Sequence, residues 1–548
     1  MSLLTRFQKF YYNHKHLETG YPENSSEYYK IAIFGSSAAA GYSSERGFGS
    51  ILNYYLNKPG KKFYIKNYAE CGVPFSGYQA EIAKEVMHKY DTIIIFAGNN
   101  ETLPWLYNIC FYEQYDPYPR MLEDALNQAR LSIKVKKRSS LLIAVIKKIF
   151  EKIFIFCKEV LNKIMEQKQI FSSYMPFGSY ACIKKEIEDF SIVGQVGWEK
   201  IDNDFKQSIS NVVEKARKYN IKIIICSLPT DETYPPFFSF FQETVTHKSR
   251  SLFKELYQKG LWLLHQEFVE EALVFFLRAK EIDATVAILN YQLARVYQKL
   301  EKNESKSYFR RAINYCGYRS RYPDVFRQIS KEIAEKNTEV AFIDMIDLFH
   351  KAMENGKTNH EDLFSDLQHP SLLGHGLIAS SIMKCLLDMG VRDVYFEDSV
   401  VMLEQYKREL DIKQYETLSN YLLNVRWHLG LTSYVTCEDF YIKKASLYLE
   451  KWMLGLGLNK TTDQKITYYF FLSLIQLKKN KLDEATYFLN KAVEEDKEVL
   501  FQRLNGVDSI GRTHLSLLKS SIGYDETKNR FYFLTDSESY SQQEDFVC

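Results

Sequence analysis

Apolar residues in the first hundred positions fall into short runs separated by longer spaced patterns. Ile31 to Phe34 is a four-residue run ending at Gly35, Phe63 to Lys66 is a second, and Thr92 to Phe96 (TIIIF) is continuously apolar. Runs of this length, bounded by glycine and polar residues, predict short buried strands. A helix is expected from Gln79 to about His88, and Ile221 to Ser227 (IKIIICS) and Val340 to Ile343 predict two further strands. Each of the first three runs opens into a polar, glycine-containing loop: Gly35-Ser36-Ser37, then Asn67 to Gly77, then Ala97 to Glu101. That repetition predicts an α/β unit built on a parallel sheet with one functional edge. In open sheets of this kind, ligands and catalytic groups gather at the carboxyl ends of the strands.

Elsewhere the period is helical. Leu142, Val145, Ile146, Ile149, Ile153 and Phe156 recur at helical spacing within a basic region, Leu131 to Lys168. A basic amphipathic helix over about 139–166 either packs on the domain with its lysines in water or lies on a membrane surface or forms a lid. Between about Phe253 and Tyr315 a pattern repeats, with Ala272, Phe276 and Ala279 matched by Ser305, Phe309 and Ala312. Gly260, then Leu293, Ala294 and Tyr297, fill the small and aromatic positions of a first helix, and Ala485, Leu489 and Ala492 repeat the signature downstream. These segments resemble tetratricopeptide repeats, a resemblance that implies helical hairpins and a protein or peptide partner. Helical periodicity then runs from about Phe396 toward a polar tail, Asp536 to Cys548, expected to be disordered.

At 548 residues the chain exceeds what one hydrophobic core fills, so two or three domains are expected. The division read here is an α/β domain over 1–252 with a helical insertion at about 131–200, and a tetratricopeptide-like insert at 253–330. The α/β domain closes over 331–395, and a helical region at 396–535 precedes the 536–548 tail. With 46% hydrophobic and 26% charged residues the composition is that of a soluble globular protein, and a net charge of +2 gives no reason to expect nucleic acid. The nine cysteines include no C-x-x-C pair, which argues against a disulfide framework or zinc site and for a reduced, cytoplasmic compartment. The amino-terminal residues lack the apolar core of a secretory signal, and no uncharged apolar run reaches membrane-spanning length.

The strand-end loops carry the chemistry. Ser37 follows the first strand, Gly72 the second, Asn100 the third, and Asp366 with His369 the last. A serine hydroxyl is a poor nucleophile unless a base takes its proton. His369 is a candidate base, with Asp366 three residues earlier to orient it. Each residue alone has a structural reading: Ser36 and Ser37 as helix caps, Gly72 as a turn residue, Asn100 as a loop cap. Together they resemble the four blocks of the SGNH hydrolases, a branch of the GDSL esterase and lipase superfamily. Asn67 stands five before Gly72, Gly98-Asn99-Asn100-Glu101 fits the third block, and Asp366, His369, Pro370, Gly374 and His375 fit the fourth. One departure is Ser36, where the family usually has an acidic or other polar residue.

The resemblance implies a flavodoxin-like three-layer α/β fold and ester hydrolysis or acyl transfer. Ser37, Asp366 and His369 would be catalytic, with the oxyanion bound by the N–H groups of Ser37 and Gly72 and the side chain of Asn100. It implies no cofactor and no metal, and a substrate that is an acylated small molecule, sugar, lipid or protein-bound ester. His375 is read as a structural residue at a helix start. A non-catalytic interaction scaffold, with the helical repeats binding a protein, is the other function class.

Overall fold

The computed structural model describes residues 27–42, 47–57, 62–102, 196–237, 239–317, 319–354, 358–394, 414–431, 437–458, 460–505, 522–525 and 530–533. The insertion expected at 131–200, up to residue 195, its 139–166 amphipathic stretch and the 536–548 tail lie outside the described residues.

Strand β1 (Tyr29–Gly35) leads into a four-residue helix α1 (Ser37–Ala40) and then α2 (Phe48–Leu56). After β2 (Phe63–Asn67) come α3 (Ala80–Val86), closed by a 3-10 turn at Met87–Lys89, then β3 (Thr92–Phe96), α4 (Val196–Lys218) and β4 (Lys222–Cys226). The five strands, completed by Val340–Ile343, pair in parallel in the order β2-β1-β3-β4-β5. Gly35 stands opposite Phe96, Phe96 opposite Cys226, and Cys226 opposite Ile343, so these strand ends align along one edge. The order reverses between β1 and β3, the position at which ligands bind in open α/β sheets. All five residues of β3 are buried, as expected of a strand covered on both faces.

Between β4 and the last strand the chain forms α5 (His247–His265), α6 (Val269–Ile282), α7 (Ala287–Lys299) and α8 (Glu304–Asn314). The residues that carry the repeat pattern are those facing inward. Ala272, Phe276 and Ala279 are fully buried, and a Cβ at Gly260 would lie 2.7 Å from the Phe276 ring, so close packing there requires glycine. Tyr297 stacks on Tyr308 with ring centroids 5.2 Å apart, tying α7 to α8. These helices have their own core, separate from that of the sheet.

The chain returns to the sheet through α9 (Asp324–Glu335) and β5 (Val340–Ile343), followed by α10 (Met345–Glu354), α11 (His360–Leu363) and α12 (Leu372–Asp388). Helix α4 buries Ile201, Phe205, Ile209, Val212 and Ala216, the three-to-four spacing of an amphipathic helix. Its Phe205 stacks on Phe326 of α9 at 4.1 Å, and losing such a ring from a core costs about 3–5 kcal/mol.

The carboxyl-terminal part forms α13 (Gln414–Leu431), α14 (Glu438–Gly455), α15 (Thr462–Lys478) and α16 (Leu482–Asn505), with a third core. Helix α15 starts in a capping box made by Thr461 and Gln464. The expectation of helix as far as residue 535 is corrected at its end: β6 (Ile522–Asp525) and β7 (Arg530–Phe533) pair as an antiparallel hairpin. Tyr524, Phe531, Tyr532 and Phe533 are residue types that favour strands, and the two runs are too short to establish a helical period. Among the described residues no helix is long and apolar enough to cross a membrane, and no group of three or more His, Cys, Asp or Glu is arranged to hold a metal.

Candidate active site

Ser37 owes its position to the residues on either side. A Cβ on Gly35 would lie 2.1 Å from the Phe96 carbonyl oxygen and 2.7 Å from the Ala39 Cβ. Only glycine lets the end of β1 press against β3 while α1 folds back over it. Ala38 and Ala39 are fully buried beneath that turn, and Ser37 opens the helix with 7% of its surface exposed. Neither serine acts as the helix cap that the bland reading assigns. Ser36, at the N-cap position, makes no side-chain cap bond, and its Oγ instead donates to Asn99 Oδ1 at 2.6 Å. The Ser37 Oγ lies 2.8 Å from His369 Nε2.

Asp366 and His369 come from a tight loop between α11 and α12. An antiparallel bridge joins Phe364 to Pro370, and the Ser365 N–H donates to the His369 carbonyl at 2.8 Å. Within the loop, Asp366 Oδ1 accepts the backbone N–H groups of Gln368 and His369, both at 2.9 Å. Such an Asx-type turn needs no distant partner, which is why the spacing is readable from sequence. His369 Nδ1 lies 2.7 Å from Asp366 Oδ2. A carboxylate only accepts, so Nδ1 carries the proton and Nε2 is left to accept from the Ser37 hydroxyl. Burial opposes ionisation of Asp366, but the nearby His369 and the loop N–H groups outweigh it and hold the carboxyl below its ordinary range. The Tyr42 ring covers the imidazole with centroids 4.8 Å apart.

The second and third loops meet beside this line. Gly72 has φ +73°, a left-handed conformation that glycine adopts at little cost. Asn67 ties its loop to α1, donating to the Ala39 carbonyl at 3.0 Å and accepting the Ala69 N–H at 2.9 Å. The Asn100 side chain is buried and its Nδ2 donates to the Val73 carbonyl, one residue past Gly72, at 3.3 Å. Glu101 accepts the N–H groups of Phe75 and Ser76 at 2.8 and 3.0 Å, and burial raises its pKa against those bonds.

Sequence reasoning missed Asn99. It accepts from Ser36 and its Nδ2 reaches Gln368 Oε1 at 3.4 Å, so it links the loops that carry Ser37, Asn100 and His369. Its place between Gly98 and Asn100 was the available signal. His375 is the fourth residue of α12, and its Nδ1 accepts the Phe48 N–H at the start of α2, 3.2 Å away. Burial, with the charge of His369 second, pushes its pKa down to about 3, so it stays neutral and braces a helix start. A second acid–imidazole pair, also unforeseen, joins Asp231 after β4 to His360 of α11, 3.1 Å apart. There burial raises the Asp231 pKa, but His360, Lys444 and Thr233 together bring it down to about 2.

No protein-family model and no curated protein sequence matches this chain. Solved structures that it resembles include an α/β hydrolase from the metagenome of Lake Arreo, Spain, at 10% identity, TM-score 0.27, covering 66% of this chain and 95% of that one. An acetyl xylan esterase from Geobacillus stearothermophilus aligns at 12% identity and TM-score 0.28, over 67% of this chain and 95% of its own. A GDSL-like lipase from Bacteroides thetaiotaomicron VPI-5482 aligns at 11% identity and TM-score 0.25, over 71% and 98%.

Proposed function

We propose that this chain is an SGNH-type serine hydrolase that removes an acyl group from an ester. The observation that carries the reading is the continuous line Ser37 Oγ, His369 Nε2, His369 Nδ1, Asp366 Oδ2, with spacings of 2.8 Å and 2.7 Å across its two hydrogen bonds. His369 takes the Ser37 proton as Oγ attacks the ester carbonyl carbon, and Asp366 stabilises the imidazolium that forms. The developing oxyanion is bound by the N–H groups of Ser37 and Gly72 and by the Asn100 amide, one of whose two hydrogens is already directed at the Val73 carbonyl. Collapse expels the alcohol, which leaves with the proton held by His369, and the acyl group stays on Ser37. Water, activated by the same imidazole, then releases the acid. A second alcohol in place of water makes the reaction an acyl transfer.

The strand order β2-β1-β3-β4-β5 is that of flavodoxin-like doubly wound sheets, and Ser37 and Asn100 follow the two strands that flank the point of reversal. The substrate class is an acylated small molecule, sugar, lipid or protein-bound ester. The hairpins of α5 to α8 are read as tetratricopeptide-like, with a protein or peptide as partner. What favours a partner is the half-exposed state of Leu252, Trp262, Phe268 and Val274. The free thiols of Cys226 and Cys385 suit a reducing, cytoplasmic setting.

The test is labelling with a fluorophosphonate, followed by peptide mapping. Ser37→Ala is expected to abolish both labelling and hydrolysis of a short-chain aryl ester, whereas Ser36→Ala keeps measurable amounts of both. Labelling that survives in Ser37→Ala, or that never occurs in the folded wild type, moves the assignment to a non-catalytic scaffold.

A further inference from the structure

Helix α14 lies behind the Asp366–His369 loop, and two of its side chains one turn apart reach it. Lys444 and Tyr448 stand four residues apart and therefore share a face. Tyr448 is 3% exposed and its hydroxyl donates to the Ser365 carbonyl at 2.5 Å, at the peptide bond that leads into Asp366. Lys444 Nζ is 2.7 Å from Glu361 Oε1 on α11 and 3.8 Å from Asp231 Oδ2. Asp231 in turn donates its N–H to the Leu367 carbonyl at 3.0 Å, inside the same loop. The loop is thus gripped at Ser365 by α14 and at Leu367 by the segment after β4.

The phenol is held in place. Its ring stacks on His428 of α13 at 5.3 Å and lies 6.3 Å from the ring of Tyr421. His428 Nδ1 lies 2.6 Å from the Asn424 carbonyl, which only accepts, so Nδ1 bears a proton. Burial pushes the pKa of His428 down to about 4, so the ring is neutral and Nε2 accepts from the Tyr234 hydroxyl at 2.7 Å. Tyr234 lies a few residues after Asp231, so α13 and α14 clamp the post-β4 segment and the acid–base loop together. Burial also pushes the Tyr448 phenol well up, which keeps it a donor.

We infer that Tyr448 is a positioning residue for the Asp366–His369 pair, which makes the carboxyl-terminal helical region part of the reacting unit. The inference rests on the hydrolase reading above. The hydroxyl touches neither Ser37 nor His369, and it acts by setting the peptide from which the Asp366 carboxylate projects. Displacing a catalytic group by about 1 Å through a distant change can cost about 100-fold in rate, so loss of one such bond has a measurable kinetic effect.

The experiment uses the full-length chain with Tyr448→Phe, which keeps the ring over His428 and removes only the donor. The expected result is a kcat about tenfold lower with KM unchanged within about twofold, and a parallel fall in the rate of fluorophosphonate labelling at Ser37. The control is Tyr441→Phe on the same helix. Tyr441 is fully buried, and its hydroxyl has no hydrogen-bond partner among the described residues. Its removal should leave kcat and labelling at wild-type values. Wild-type kcat and labelling in Tyr448→Phe overturn the inference, as do equal falls in both variants, which would indicate a general packing effect. A wild-type chain that is neither labelled nor active overturns the hydrolase reading and this inference with it.

Discussion

Replacing Asp366 by asparagine changes one atom and should reverse the proton on His369. Asp366 Oδ1 accepts two backbone N–H groups, from Gln368 and His369, at 2.9 Å each. In Asp366→Asn those donors hold the amide oxygen in that place, which puts the NH2 group where Oδ2 stood, 2.7 Å from His369 Nδ1. The nearer acceptor has become a donor, and the Nδ1 hydrogen is left only Oδ1, 2.9 Å away and already shared by two backbone N–H groups, so the imidazole shifts toward carrying its hydrogen on Nε2, against the Ser37 hydroxyl. That tautomer cannot accept the Ser37 proton. Restoring the shorter 2.7 Å bond that holds the working tautomer requires an amide flip that leaves the two loop N–H groups without an acceptor, at about 1–3 kcal/mol each. The working state is then disfavoured by about 2–6 kcal/mol, and kcat should fall by about 30-fold to 10⁴-fold; comparable triads sit near the upper end. The assay is aryl ester hydrolysis, with circular dichroism to verify folding and KM expected to change little. A loss smaller than about tenfold in the folded variant refutes the argument, because it would mean that Asp366 does not set the tautomer.

Two further outcomes follow from the same geometry. On the proposed hydrolase reading, Asn100→Ala removes a donor needed chiefly when charge develops on the carbonyl oxygen, so kcat should fall by roughly 10²–10³ (about 2.7–4 kcal/mol) with little change in KM; a raised KM at unchanged kcat contradicts that role. Stability should decline in two stages as pH falls. His375 and His428 are buried with pKa values near 3 and 4, below their ordinary 6.5, so the unfolded chain binds more protons and stability drains away below about pH 6.5, by a few kcal/mol for each. The depressed carboxyls of Asp366 and Asp231 add stability that is present above about pH 4 and lost as the pH falls toward 2. Urea midpoints measured from about pH 8 to 2 at constant ionic strength test this; a flat profile down to pH 5 contradicts the first stage, and no further fall below pH 4 contradicts the second.

The sequence by itself determined the features encoded within a few residues. Thr92–Phe96 and Val340–Ile343 are strands as read, because a short continuous apolar run bounded by polar residues favours a strand, although only the first is buried throughout and the second, at the end of the sheet order, buries Val340 alone. The Asp366–His369 pairing was legible because an aspartate bonds the backbone two and three residues on, without help from the rest of the chain. Gly35 announced the turn that presents Ser37. Other features depend on what stands opposite a side chain, and only the tertiary structure decided them. The bond from Ser36 to Asn99 spans 63 positions, and those from Lys444 to Glu361 and from Tyr448 to Ser365 each span 83. In the sequence, Tyr448 reads as one more apolar position on a helix, and the same period suits a residue packed on leucine or on the Asp366–His369 loop. Periodicity states which face is buried, whereas the partner of that face is settled by packing among α14, the segment after β4 and the loop after α11, whose separation along the chain leaves no local trace.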